Sequence, residues 1–295
     1  MNSLTDSLHI LGQTILNILD NRLDDELSRH YFDKLNDAIR KQAFANPWHT
    51  TYFTRYALRN IGDNLCHSNL SIPDKTGLHT AVINSDATPL DGFEDFLEVI
   101  TKGHNYIGKL ANNDKLLIPL LVGMLWEIEP AWKERIEFVE KLPKADSIIA
   151  TDNGNATLLA YLRQHAPMLH LHKTRHNVAV VTGDETEDEL RQLASNLLLY
   201  FGMGRHAISK LFVPKDYDFK PLCALIEKSW PEMDAHHQYL NHLDYQKTLL
   251  LMNRIPFLDA GKMMFVHSEN ADAPISITYT ETYSSSEALK ERLGL

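Results

Sequence analysis

In the middle of the sequence, short β-branched runs alternate with amphipathic runs, and this alternation limits the possible folds more than any other feature. The run 78–84 predicts a strand, a turn with Pro89 and Gly92 follows, and 93–101 and 106–110 predict a helix and a second strand. A strand, a helix and a strand in this order form a βαβ unit, which builds parallel sheets. Further predicted elements are a helix at 114–126, strands at 135–140 and 147–151, and a helix at 157–165. The pattern predicts an α/β fold with a doubly wound sheet.

Helices are expected before this region and a second α/β unit after it. Apolar residues recur at helical spacing over 8–45, which predicts two amphipathic helices, and Thr50 or Thr51 is expected to cap a third. From about His176 onward, the predicted elements are a strand at 177–182, a long helix that begins in an acidic turn and ends at 200, a strand at 208–213, and an alternating strand at 274–283.

Composition narrows the class of protein. The chain has 295 residues, 44% of them hydrophobic, and lacks an apolar run long enough to span a membrane, so we expect a soluble protein with no membrane span. We expect no targeting signal in its first residues. Its two cysteines, Cys66 and Cys223, lie far apart, which favours a reducing compartment and a cytoplasmic location. The formal net charge of -10 disfavours nucleic acid as a partner.

The run 195–214 combines a helix-forming segment, two glycines and a strand-forming segment. Gly202 and Gly204 allow positive φ, and turns of this kind often display a reactive side chain, here Arg205. The plain alternative is a helix C-cap that leads into a core strand, because glycine C-caps are common.

Four segments resemble the short-form acyl-CoA reductases related to the LuxC component of bacterial luminescence, which belong to the aldehyde dehydrogenase superfamily. The four are NPWHTTYFTRYAL, TPLDGFEDFLEVITKGH, NVAVVTGDETEDELRQLASNLLLYFGMGRHAISKLFVPKDYDF and YLNHLDYQKTLLLMNRIPFLDAGKMM. The resemblance implies an aldehyde dehydrogenase-like fold with two Rossmann-like α/β domains. It implies a helical N-terminus plus cofactor-type domain (1–175), a catalytic-type domain (176–270), and a C-terminal strand and helix (271–295) that return to the first domain or to a neighbouring subunit.

The resemblance also implies where the catalytic groups should lie, and the sequence departs from the family there. The family pattern YFGxGCRN places its cysteine nucleophile on Arg205, and a guanidinium is not a nucleophile. The family pattern GNxPLxGFxD places an oxyanion-donating asparagine on Ala87, whose side chain donates nothing. Ser209 has no recognisable base beside it in sequence.

The cofactor implied by the resemblance is NADP(H), with binding expected to be weak or absent. Lys109 matches a lysine that contacts the adenosine ribose in the superfamily, although a solvated lysine at a strand end is an equal alternative. Asp152 and Asn153 fall where the family has a GSxxT-like run, and a carboxylate there would repel the phosphates.

No metal site is expected. Known metal motifs pair two histidines four residues apart on a helix with an acidic partner, and two groups of histidines lack this pattern. The first group is His165, His170, His172 and His176, and the second is His236, His237 and His242.

Two functions stay open. One is a non-catalytic relative of the family that acts as an acyl- or nucleotide-binding or assembly partner, with a homo-oligomer, an active homologue, acyl-CoA or acyl-carrying enzymes as partners. The other is an active NADPH-dependent acyl-CoA reductase that forms aldehyde through an unidentified nucleophile. For assembly, the alternating strand PISITYTETY is predicted to be an edge that pairs across a subunit boundary.

Overall fold

The structure is a computed structural model that describes residues 3–68, 70–73, 77–152, 156–173 and 177–294. The chain divides into two compact units, residues 1–172 and 173–295. Two five-stranded sheets are present. Within the described ranges, no helix is both long and apolar enough to cross a membrane.

Three helices begin the first unit: α1 (Leu4–Leu19), α2 (Glu26–Ala45) and α3 (Thr51–His67). Thr50 caps α3, because its hydroxyl accepts a hydrogen bond from the backbone N–H of Phe53 at 3.1 Å. Glycines allow α1 and α3 to approach closely. A Cβ added to Gly12 would lie 2.7 Å from the Cβ of Leu65 on α3, so no larger residue fits without a shift.

The first sheet has the strand order β3-β2-β1-β4-β5. The elements are β1 (His79–Ile83), α4 (Phe93–Thr101), β2 (Asn105–Lys109), α5 (Leu117–Ile128), β3 (Ile136–Phe138), β4 (Ser147–Asp152), α6 (Ala156–His165) and β5 (Met168–Lys173). Strand β1 is parallel to β2 and to β4, and β2 is parallel to β3. Strands β2 and β3 are therefore added on one side of β1, and strands β4 and β5 on its other side. This is the doubly wound arrangement. The predicted α/β fold is confirmed.

Helices cover both faces of this sheet. Tyr106 on β2 contacts Phe96 of α4 edge-to-face at 5.1 Å, while the next residue, Ile107, packs in a cluster with Leu162 of α6. Successive strand residues point to opposite faces, so α4 and α6 lie on opposite sides.

The second sheet has the strand order β6-β7-β10-β9-β8. The elements are β6 (Asn177–Val180), α7 (Glu187–Leu198), β7 (Ile208–Pro214), α8 (Lys220–Lys228), α9 (His237–Met252), β8 (Phe257–Asp259), β9 (Met264–His267), β10 (Ile277–Tyr283) and α10 (Ser286–Leu293). Strands β6, β7, β10 and β9 are parallel, and β8 is antiparallel to β9.

The C-terminal strand corrects the edge-strand prediction. Strand β10 lies between β7 and β9 and is hydrogen-bonded to both, so it returns to the second sheet rather than to the first domain or to a neighbouring subunit. Its polar face is covered too, because Thr278 is 1% exposed. Alternating threonine and apolar residues resemble a strand covered on one side, yet threonine is β-branched and packs well inside a sheet.

Candidate functional site

The turn between β1 and α4 is held in place by buried side chains from the N-terminal helices. The carbonyl of Asp86 accepts hydrogen bonds from Nε2 of His49 at 2.9 Å and from Nδ2 of Asn46 at 3.3 Å. The Gln42 amide nitrogen lies 3.0 Å from His49 Nδ1 and donates to the carbonyl of Asn113 at 2.6 Å. Because Gln42 donates to Nδ1, the ring proton of His49 is on Nε2. The NPWH segment thus positions this turn.

Burial favours the neutral form of His49. The ring is fully buried, and this desolvation lowers the pKa of His49 below its usual value, although the Asp86 carbonyl opposes the shift. A neutral imidazole can accept at one nitrogen and donate at the other, as this network requires.

Ala87 lies half-buried in this turn, and its backbone N–H donates to Ser85 Oγ at 3.1 Å. The nearest amide in sequence is Asn84, whose Nδ2 donates to the Tyr106 hydroxyl at 3.0 Å. Gly92 makes room for it, because a Cβ there would lie 1.7 Å from Asn84 Oδ1. The Asn84 amide is therefore bound within the fold, and it does not replace the donor that Ala87 lacks.

A buried carboxyl group lies against the same turn. Asp114 is 2% exposed, and neither carboxylate oxygen has a well-formed hydrogen bond with any described residue. Desolvation raises the pKa of Asp114 to about 7, the charges of Asp86 and Asp91 add to this, and the backbone N–H of Leu90 opposes it. Sequence analysis missed this group, because nothing in the local pattern shows that residue 114 is buried.

The predicted cofactor residues lie at strand ends in the first sheet. Lys109 ends β2 and Asp152 ends β4, and β1 lies between these two strands. In doubly wound sheets, ligands bind beyond the carboxyl ends of the strands where the order reverses, and here that is at β1 and β4. Both residues are half-buried, while Asn153 lies outside the described residues.

The turn before β7 has an unusual backbone. Tyr200, Phe201, Gly202 and Gly204 all have positive φ, at 50°, 61°, 68° and 89°. Positive φ is ordinary for glycine, but it is strained for the two aromatic residues. Phe201 is 1% exposed, and its ring lies 4.3 Å from that of His236 and 5.2 Å from that of Tyr239. Packing of this ring supports the strained conformation.

Arg205 follows this turn and is half-buried. Its carbonyl accepts a hydrogen bond from Asn177 Nδ2 at 2.6 Å, which fixes the chain at the start of β7. Ser209 is fully buried, and its hydroxyl donates to the carbonyl of Asn177 at 3.2 Å. A buried hydroxyl that binds a backbone carbonyl is a structural group.

The two thiols are not activated. Cys66 is on α3 and Cys223 is on α8, and burial raises the pKa of both above the ordinary value. Asp63 adds to the shift at Cys66, and Asp218 and Asp259 add to it at Cys223. A nucleophilic thiol requires the opposite shift, because the thiolate is the reactive form.

One grouping was missed by sequence reasoning. Asp95 and Glu98 on α4 meet His172 on β5, with one ligand atom from each residue within 4.8 Å of the others. The spacing of the histidines alone could not show this, because the carboxylates come from a distant segment.

No protein-family model matches the chain, and no curated protein matches it. Solved structures do match it in fold. An indole-3-acetaldehyde dehydrogenase in complex with NAD⁺ matches with a TM-score of 0.61 at 10% identity, over 98% of this chain and 69% of that one. The aldehyde dehydrogenase KauB from Pseudomonas aeruginosa matches with a TM-score of 0.60 at 10% identity, over 99% and 70%. An NAD⁺ complex of an aldehyde dehydrogenase from Bacillus cereus gives 0.55 at 10% identity, over 99% and 69%. The chain has the aldehyde dehydrogenase fold.

The buried Asp114 predicts a pH dependence of stability. Its carboxyl keeps a proton up to about pH 7 in the folded state but loses it near pH 3.8 when unfolded. The folded state thus holds the extra proton, and stability falls as the pH rises through this window. Because one pKa unit is worth about 1.4 kcal/mol, the loss is at most roughly 4 kcal/mol. We expect Asp114→Asn to be more stable than the wild type at pH 8 and to lose this part of the pH slope.

Denaturant unfolding between pH 4 and pH 8 measures the effect. The control is Asp33→Asn, which alters an exposed carboxylate on α2 and should keep the wild-type slope. An Asp114→Asn variant with an unchanged slope would contradict the assignment.

Proposed function

We propose that this chain is a non-catalytic relative of the LuxC-type acyl-CoA reductases, which keeps the aldehyde dehydrogenase fold and acts as an acyl- or nucleotide-binding or assembly partner. The observation that carries the proposal is the turn at Tyr200–Gly204, which holds a strained backbone while it leads to Arg205 instead of a thiol.

The strain separates this turn from a plain helix C-cap. A C-cap needs one left-handed residue, usually glycine. Here two aromatic residues are also left-handed, and each such residue costs on the order of 1–3 kcal/mol. Strain of this kind clusters at functional sites, so it supports the matching of this turn to the nucleophile turn of the family.

The groups required for acyl-CoA reduction are missing from their expected positions. The reaction needs a thiolate to form an enzyme-bound thioester and a donor to stabilise the tetrahedral oxyanion. Arg205 stays protonated, Ser209 is buried against a backbone carbonyl, and the Ala87 side chain donates nothing. Loss of one oxyanion donor alone typically lowers the rate by about 100- to 1000-fold.

Nucleotide binding is expected to be weak. Two of the structural neighbours contain NAD⁺, and the strand order here matches a nucleotide-binding sheet. Lys109 would place a positive charge beside the ribose of NADP(H), while Asp152 would place a negative charge near its phosphates. In this proposal, Lys109 would help to orient a nucleotide, and Asp152 would weaken its binding.

Assembly is supported by the edges of the second sheet rather than by β10. The outer strand β6 exposes Val178 at 40% and Val180 at 43%, and the other outer strand, β8, exposes Leu258 at 41%. Edge strands with apolar side chains are prone to pair with another chain. A homo-oligomer or a complex with an active homologue would cover them.

The activity prediction tests the proposal directly. Purified protein should show no acyl-CoA-dependent oxidation of NADPH with short, medium or long acyl chains, because no thiolate is available at the turn. The measurement is the decrease in NADPH absorbance, with the Cys66→Ser and Cys223→Ser double variant as control. Turnover by the wild type would contradict the proposal, and its loss in the double variant would locate a thiol nucleophile elsewhere.

The cofactor prediction concerns charge at Asp152. Two unit charges about 4 Å apart in water interact by roughly 1 kcal/mol, so Asp152→Asn should bind NADPH about fivefold more tightly than the wild type. Calorimetric titration gives both affinities, and Asp63→Asn, which removes an exposed carboxylate on α3, should leave the affinity unchanged. Equal affinities for wild type and Asp152→Asn would remove Asp152 from the explanation.

A further inference from the structure

Three side chains with metal-binding atoms meet between α4 and β5. Asp95 and Glu98 lie one helical turn apart on α4, so they point from the same side of the helix. His172 belongs to β5, and one ligand atom from each of the three residues lies within 4.8 Å of the other two. All three belong to the first unit.

The contact between His172 and Asp95 has a distance close to that of two ligands of one ion. Nε2 of His172 lies 3.0 Å from Oδ1 of Asp95, yet Nε2 is buried and forms no hydrogen bond of suitable geometry with any described residue. With metal–ligand bonds of about 2.1 Å, two ligands at the tetrahedral angle are about 3.4 Å apart, so these two atoms need to separate by only about 0.4 Å to share an ion. The spacing of Nε2 and Oδ1 is therefore compatible with a shared cation. The geometry at Nε2 does not suit an N–H···O hydrogen bond to Asp95.

The burial of the three groups gives the cluster an inner and an outer side. The Asp95 side chain is 5% exposed, His172 is 32% exposed and Glu98 is 42% exposed. Asp95 thus lies on the inner side, and Glu98 and His172 lie toward the solvent. The exposed side gives an ion and its remaining water ligands access.

The other charged groups at this place are compatible with a cation. Lys102 binds Oε1 of Glu98 at 2.6 Å, which leaves the second oxygen of Glu98 for an ion.

We propose that Asp95, Glu98 and His172 bind a divalent transition-metal ion, with Zn²⁺ as the best fit. One imidazole nitrogen and two carboxylate oxygens are ligands that Zn²⁺ accepts, whereas Ca²⁺ and Mg²⁺ are bound by oxygen ligands. Three protein ligands leave at least one position for water. The ion would fasten β5, at the end of the sheet, to α4.

The test is a calorimetric titration of the intact chain with Zn²⁺. The wild type and His67→Gln should each bind one Zn²⁺ ion at this site. His172→Gln and Glu98→Gln should bind that ion at least about 100-fold more weakly. Loss of a residue that only supports a metal ligand already lowers metal affinity by up to that factor, and these two residues are ligands themselves. His67 is a suitable control, since it is an exposed histidine whose ring contacts the carbonyl of Asp63 in its own helix. The chain has 15 histidines, so the difference between matched variants decides, not the total zinc bound.

Cobalt provides a second readout. Co²⁺ bound to wild type and His67→Gln should give visible absorption bands that are lost in His172→Gln. If circular dichroism shows that His172→Gln is not folded, the Glu98→Gln variant decides. The Glu98 side chain is partly exposed, so its replacement should leave the fold intact. Titrations of His172→Gln and Glu98→Gln that match the wild type, or a wild type without a zinc site, would overturn the proposal.

Discussion

The hydrogen bond from buried His49 to the Asp86 carbonyl is the contact on which the turn between β1 and α4 depends. Strand pairing fixes where β1 ends, but it does not fix the course of the turn that follows. His49 and Asn46 do so from the N-terminal helices, and Gln42 fixes the His49 tautomer. Removal of the imidazole would leave the Asp86 carbonyl with only the longer bond from Asn46, and the loss of one hydrogen bond costs about 0.5–1.5 kcal/mol. The N-terminal helices are thus part of the site's support.

Under the proposed function, the molecule combines an intact scaffold with altered chemistry. Asn84 and Gly92 still fit each other closely, and the backbone before Arg205 is still held in a strained form by the Phe201 ring. In that proposal, a guanidinium and an alanine stand at the positions matched to the reactive groups, and burial raises the pKa of both thiols on α3 and α8. A fold does not determine its activity, and the side chains at these two turns carry the functional argument.

Sequence patterns predicted what depends on local order. The helix predicted at 93–101 begins and ends where α4 does, and the strand predicted at 147–151 is one residue shorter than β4. Both segments have a clear apolar period in sequence. Strand β5 was missed, since its leucines alternate with histidines, and β10 was placed at an edge, since its partners are distant in sequence. The positive φ of Tyr200 and Phe201 was missed because that conformation was expected of the glycines alone. Likewise, the burial of Asp114 and the meeting of His172 with Asp95 depend on long-range packing.

Intact-mass analysis after incubation with an acyl-CoA tests the central claim most directly, which is that the turn at Tyr200–Gly204 no longer presents a nucleophile. The account predicts that the wild type gains no hydroxylamine-labile acyl group, whereas Arg205→Cys, with a thiol at the same place, gains one per chain. A hydroxylamine-labile acyl group on the wild type would contradict the account.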